Sequence, residues 1–184
     1  RGSVLIDEAD ITTAPMYIRA RKGVGYLPQE ASIFRKLTVR DNILAVLEMH
    51  PILASERKAL TQRLLEELGI ARLAAQQASS LSGGERRRLE IARALATGPS
   101  FILLDEPFAG IDPLAVIDIK QIIAHLKERG IGIIISDHNV RETLEVCDEA
   151  YILSDGKIIE SGAPETIAAS KTARQIYLGE TFRL

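Results

Sequence analysis

The chain has 184 residues, 46% hydrophobic and 26% charged, with 23 Lys and Arg against 25 Asp and Glu for a formal net charge of −2. That length suffices for one sizeable core, or a core with a smaller lobe, and the composition excludes a disordered chain. The near-neutral balance gives no general positive field for nucleic acid, the longest apolar runs fall far short of the ~20 residues of a spanning helix, and the single Cys147 excludes an internal disulfide and fits a reducing compartment.

In chain order, "SVLIDEADI" and "GVGYLPQ" read as short strands or strand ends. Thr38 opens a helix through a Thr-x-x-Asp start, with Ile43, Val46 and Leu47 at helical spacing. A second helix begins after Ser55, stacks Leu60, Leu64 and Leu68, and closes at Gly69. "SLSGGERRRLEIARAL" is a third helix behind a pair of glycines, and "SFILLDEP" is a continuous apolar strand ending in two acids. Asp112 as N-cap, Pro113 at the first helical position and Gly130 at the end mark a long helix. "IGIIIS" reads as a fully buried strand, "NVRETLEVC" as a short helix with Val140, Leu144 and Cys147 on one face, and "YILSDGKIIESG" as a hairpin turning at Asp155-Gly156. Pro164 starts a last short helix before a tail.

Apolar strands alternating with helices imply an α/β fold with a mainly parallel sheet covered on both faces. Ligands on such sheets bind beyond the carboxyl ends of the strands. Gln29, the pair Asp105-Glu106, and His138 all fall at that edge. Adjacent carboxylates repel unless a cation or proton shares the site. Mg²⁺ suits one of them, and the second can polarise an attacking water, a role worth about 10²–10⁴ in rate. His138 beside such a site can hydrogen-bond a terminal phosphate.

Ser82 and Glu85 form a Ser-x-x-Glu capping box, which explains both residues but not Gly83 and Gly84 between them. Bare N–H groups at a helix start make an anion site, and missing side chains let a phosphate approach. Arg86, Arg87 and Arg88 spread around the helix axis and read as a solvated, ion-paired face.

The ordered set "YLPQ", "LSGGERRRLEIARAL", "FILLDEP", "AGID" and "SDH" resembles the nucleotide-binding subunits of ABC transporters over essentially the whole chain. The resemblance implies a P-loop NTPase-like ATPase core with an inserted helical subdomain. It implies ATP and Mg²⁺ as cofactors, a homodimer sandwiching two MgATP, and transmembrane permease subunits as partners. By it Gln29 is the Q-loop glutamine, which meets Mg²⁺ or its water. Ser82, Gly83, Gly84 and Glu85 are the signature, which binds the γ-phosphate held by the opposite subunit. Asp105 is the Walker B metal ligand, Glu106 the catalytic base, Ala109 to Asp112 the D-loop, and His138 the switch histidine. Phe34 and Arg35 lie where the coupling helix of the membrane subunit inserts. The implied divisions are 1–33 and 94–161 for the core, 34–93 for the helical subdomain, and 162–184 for the C-terminal helix and tail.

Within that family, "EASIFRKLTV" and the ending "YLGETFRL" are similar to ATPase subunits of bacterial lipopolysaccharide export, on the cytoplasmic face of the inner membrane. ATPases of branched-chain amino-acid importers share much of the pattern. The compact interval from Gln29 to Ser82 and the single cassette argue against the DNA-repair and translation members. One departure stands out: no G-x-x-x-x-G-K-[ST] phosphate loop occurs in the chain. The expectation is therefore an N-terminally truncated form that alone neither binds ATP well nor hydrolyses it, with an inert fragment as the corresponding alternative.

Overall fold

Within residues 3–11, read above as short strands or strand ends, the chain makes a tight hairpin: β1 (Leu5–Ile6) pairs antiparallel with β2 (Ala9–Asp10). Asp7 turns the chain at φ +50°, a left-handed conformation that Asp tolerates better than most residues. The computed structural model describes residues 2–179 and residue 182. It resolves into two compact units, Arg1–Ser136 and Asp137–Leu184.

In the first unit a short helix, α1 (Met16–Arg21), precedes β3 (Val24–Leu27). The sequence reading had no helix there, because a six-residue segment that buries none of its residues carries no apolar stripe. Then come α2 (Val39–Leu47), α3 (Ala54–Glu67), α4 (Gly83–Leu95), β4 (Phe101–Asp105), α5 (Pro113–Glu128) and β5 (Gly132–Ser136). Thr38 caps α2 by accepting from Asp41 N, and Gly69, at φ +66°, ends the α3 segment as its position suggests. Val39, Ile43, Leu47, Leu64, Leu65 and Leu89 form the buried seam of the helical part. Asn42 is fully buried there, yet every group it offers is used. Its Oδ1 accepts from Phe34 N at 2.8 Å, and its Nδ2 donates to the Phe34 and Thr38 carbonyls at 3.0 and 2.9 Å.

The sheet is parallel, in the order β3-β4-β5, as the fold class requires. Leu27, Ile102 and Leu104 are buried on one face. The other face departs from the expectation of two covered sides: Tyr26 is 47% exposed, Phe101 41% and Ile134 60%. An unbroken apolar run reports strand type and hydrophobicity, but not how many layers cover the strand. Register adds a local fit on that face, since Phe101 stands opposite Gly132 and a β-carbon there would lie 2.4 Å from the Phe101 ring.

The second unit holds α6 (Val140–Leu144), the antiparallel pair β6 (Ala150–Ser154) and β7 (Lys157–Gly162), α7 (Pro164–Ala169) and α8 (Lys171–Ala173). Its turn is Asp155-Gly156, with φ of +49° and +73°, the two positive values that suit a tight hairpin. Leu144, Ile152, Ile167 and Ala173 form its core, with Val140 and Cys147 packed against it. Four residues of the "YLGETFRL" ending, at 180, 181, 183 and 184, lie outside the described residues.

Candidate functional site

Parallel register brings the first two site residues together. Leu27 of β3 pairs with Leu104 of β4, so Gln29 and Glu106 each follow a paired leucine by two residues at the carboxyl edge of the sheet. Gln29 Nε2 donates to Glu106 Oε2 at 2.6 Å. Glu106 holds a left-handed φ of +43°, and its N–H donates to the Ser136 carbonyl at 2.7 Å. A non-glycine residue in that region costs about 1–3 kcal/mol, a strain typical of residues that the surrounding structure holds for a purpose. Beside it, Tyr26 Oη donates to Asp105 Oδ2 at 3.2 Å. Partial desolvation, then the Asp105 carboxylate, hold the Tyr26 phenol above its usual value.

The arginine run departs from the solvated face expected of it. Arg87 is only 6% exposed and Glu90 4%. Arg87 Nη1 donates to the Pro28 carbonyl at 3.0 Å and to Glu90 Oε2 at 3.1 Å, while Nη2 donates to the Asp105 carbonyl at 3.0 Å. Glu90 Oε1 in turn accepts from Ser32 N at 3.1 Å. Arg88 pairs with Asp118 of α5 and donates to the Leu68 carbonyl. The missed signal was positional: Arg87 follows Gly84 by three and precedes Ile91 by four, which places it on the buried stripe of α4.

At the start of α4 the capping box forms as expected. Glu85 N donates to Ser82 Oγ at 3.3 Å, and Ser82 N and Oγ donate to Glu85 Oε2 at 3.0 and 2.9 Å. The Ser82 backbone and hydroxyl donors, with Arg72 nearby, hold the Glu85 carboxyl below the ordinary range. The two glycines differ. A β-carbon on Gly84 would lie 2.8 Å from Ala115 Cβ of α5, so helix packing alone demands glycine at that position. A β-carbon on exposed Gly83 would meet nothing nearer than 3.8 Å, so no contact among the described residues explains it.

The remaining candidates are Asp112, Phe34, Arg35 and His138. Asp112 caps α5, accepting from Leu114 N and Ala115 N at 3.1 and 3.0 Å. Phe34 and Arg35 are exposed in the segment before α2, with the Arg93 guanidinium 4.6 Å from the Phe34 ring centre. His138 belongs to the second unit, its side chain 64% exposed and 3.8 Å from Asp137 Oδ1.

Known proteins resemble this chain along its whole length. The ABC transporter family model matches residues 1–109. The lipopolysaccharide export system ATP-binding protein LptB of Escherichia coli K12 is 56% identical over 184 residues, all of this chain and 76% of that protein. The corresponding LptB of Haemophilus influenzae is 54% identical, over all of this chain and 77% of its own length. The chain belongs to the ABC transporter family.

Solved ABC structures agree with the fold. An ATP-binding cassette of an ABC transporter in its ADP conformation superposes with a TM-score of 0.84 at 28% identity, covering 98% of this chain and 78% of that one. A nucleotide-free cassette gives 0.82 at 27% identity, with 98% and 78% covered. In this ABC chain no described helix is long and apolar enough to cross a membrane. No group of three or more His, Cys, Asp or Glu suited to a metal occurs among the described residues. A site completed by nucleotide oxygens and water needs fewer, and Mg²⁺ is commonly held by one or two carboxylates. Asp105 and Glu106 provide hard oxygen donors, and Gln29, with its nitrogen end committed to Glu106, has an oxygen end for a cation.

Proposed function

We propose that the intact protein hydrolyses ATP as the energising subunit of a lipopolysaccharide exporter, working as a homodimer beneath transmembrane permease subunits on the cytoplasmic face of the inner membrane. The Gln29–Glu106 contact carries the hydrolytic part of the reading, because it ties an amide to a strained carboxylate immediately after Asp105. The exporter part rests on 56% identity to LptB along all of this chain. That likeness does not favour the importer or inert-fragment alternatives.

In this reading Glu106 accepts the proton of the attacking water, a contribution of about 10²–10⁴ in rate. Asp105 and the Gln29 oxygen would hold Mg²⁺, which when bound would neutralise charge on the phosphates. Ser82, Gly83 and the α4 N-terminus face the γ-phosphate presented by a second copy, with Gly84 letting α4 approach α5 and Glu85 setting the serine hydroxyl. Asp112 shapes the turn into α5 at the same dimer surface, and His138 hydrogen-bonds the terminal phosphate. Phe34 and Arg35 receive the permease. The phosphate-cradling lysine loop is not among these 184 residues, so the roles assigned here are the remaining ones.

The test is ATP turnover by the intact protein and by its Glu106→Gln variant. Turnover should fall by about 10²–10⁴ with ATP binding retained; equal turnover by both proteins overturns the hydrolytic assignment. Growth of an E. coli strain depleted of LptB, restored by the wild type and not by the variant, is the expected result for the export assignment. Failure of the wild type to restore growth counts against it.

A further inference from the structure

A single buried guanidinium grips the backbone on both sides of the Gln29–Glu106 contact. Arg87 donates to the carbonyl of Pro28, immediately before Gln29, and to that of Asp105, immediately before Glu106. Glu90 holds the guanidinium from the side and, through its other oxygen, takes the Ser32 N–H three residues beyond Gln29. Arg93, one helical turn further on, donates to the Ser32 carbonyl. Segment 28–32 is thus fastened to α4 at three backbone groups, and β4 is fastened to the same helix at its last residue.

Stability alone is a poor reason for this pair. Two charges at 6% and 4% exposure pay a large desolvation cost, and well-packed apolar residues of similar volume are often at least as stabilising. What an apolar pair cannot do is fix two carbonyls at a set separation. The planar fork of arginine does so, with its donors in rigid geometry. Pro28 and Asp105 each immediately precede a partner of the 2.6 Å Gln29–Glu106 contact, so fixing their carbonyls bears directly on it.

We infer that Arg87 and Glu90 are positioning residues for ATP hydrolysis: a buried ion pair on the helix after the signature that sets the Gln29–Glu106 geometry, touching neither nucleotide nor water itself. The inference rests on the hydrolytic reading above. It also supplies a use for the middle arginine of the run that neither a solvated face nor a nucleic-acid surface explains.

The experiment compares the intact protein with Arg87→Met/Glu90→Met, which removes both charges together, and with Arg87→Lys, which keeps the charge but loses the fork. Kinetics are normalised to ATP-binding stoichiometry, so unfolded protein does not count. The double variant should lose about tenfold to a hundredfold in kcat with KM for ATP little changed, the effect expected of misplaced catalytic groups. The acid limb of its kcat profile should move toward that of Gln29→Ala. Arg87→Lys should fall between, and Ser32 amide exchange should quicken in the double variant while the β4 amides stay protected. A double variant with kcat within about twofold of wild type overturns the inference. So does an Arg87→Lys protein with wild-type kcat, which serves if the double variant does not fold. Wild-type turnover abolished by Glu106→Gln but untouched by these changes sinks the inference alone, whereas turnover insensitive to Glu106→Gln removes the hydrolytic reading beneath it.

Discussion

Gln29 and Glu106 are 77 positions apart in the chain and 2.6 Å apart in space, with the amide nitrogen donating to the carboxylate. The contact joins the ends of two parallel strands whose register is set by the pairs from Val24–Phe101 to Leu27–Leu104. It couples an uncharged donor to an acid in a strained backbone conformation, so the chemistry of that acid depends on the identity of residue 29.

Replacing Gln29 with Glu tests that dependence. Two carboxylates at hydrogen-bonding distance cannot both stay ionised over the usual range, so one retains a proton to higher pH. The acid limb of the ATPase profile should move upward by about a unit or more, with activity at high pH less affected than activity near neutrality. A pH–rate profile of the intact variant checks this, and an unmoved limb would show that the contact does not persist during turnover.

Gly83 and Gly84 should separate cleanly under substitution by Ala. At Gly84 the new methyl would meet Ala115 Cβ at 2.8 Å, an overpacking that typically costs about 1–3 kcal/mol. Adding Ala115→Gly should recover part of the loss. At Gly83 the methyl meets nothing closer than 3.8 Å, so thermal stability should hold or rise slightly, while ATP-dependent pairing of two copies weakens. Denaturation curves and light scattering with and without ATP read the two effects.

Glu85 predicts a pH dependence of stability. Its folded carboxyl sits below the ordinary value of 4.5, chiefly through the Ser82 backbone and hydroxyl donors. A carboxyl depressed in the folded state contributes its full stabilisation above the unfolded value and loses it as pH falls through the folded one. The difference in melting temperature between wild type and Glu85→Gln should therefore be constant from pH 7 to about 5 and shrink below that. A difference that grows on acidification would reverse the assignment.

Asp112 has a role in the fold that can be measured without nucleotide. It accepts from two N–H groups at the start of α5, and its removal in Asp112→Ala should cost about 0.5–2 kcal/mol. Asp112→Asn keeps an accepting oxygen and should cost less. If Asp112→Asn nevertheless impairs ATP-dependent dimerisation at unchanged stability, the carboxylate acts at the dimer surface as well as in the cap.

Local signals in this sequence carried a long way. Thr38, Asp112-Pro113 and Ser82-x-x-Glu85 marked helix starts that the structure has, and Asp155-Gly156 marked the hairpin turn, because caps and tight turns depend on residues within a few positions of one another. The order of "YLPQ", "LSGGE", "FILLDEP" and "SDH" was enough for the family. What tertiary structure alone decided involves partners far along the chain. Arg87 looked like one of three solvated arginines until β3 and β4 delivered the Pro28 and Asp105 carbonyls to it. Gly84 looked like the twin of Gly83 until α5 laid Ala115 against it. Tyr26 and Ile134 looked buried because their strands are apolar, and in these 184 residues they are 47% and 60% exposed. Capping, turn type and helical period are short-range energies written in neighbouring residues, whereas the environment of a charge or a missing methyl is set by whichever distant segment the fold places against it.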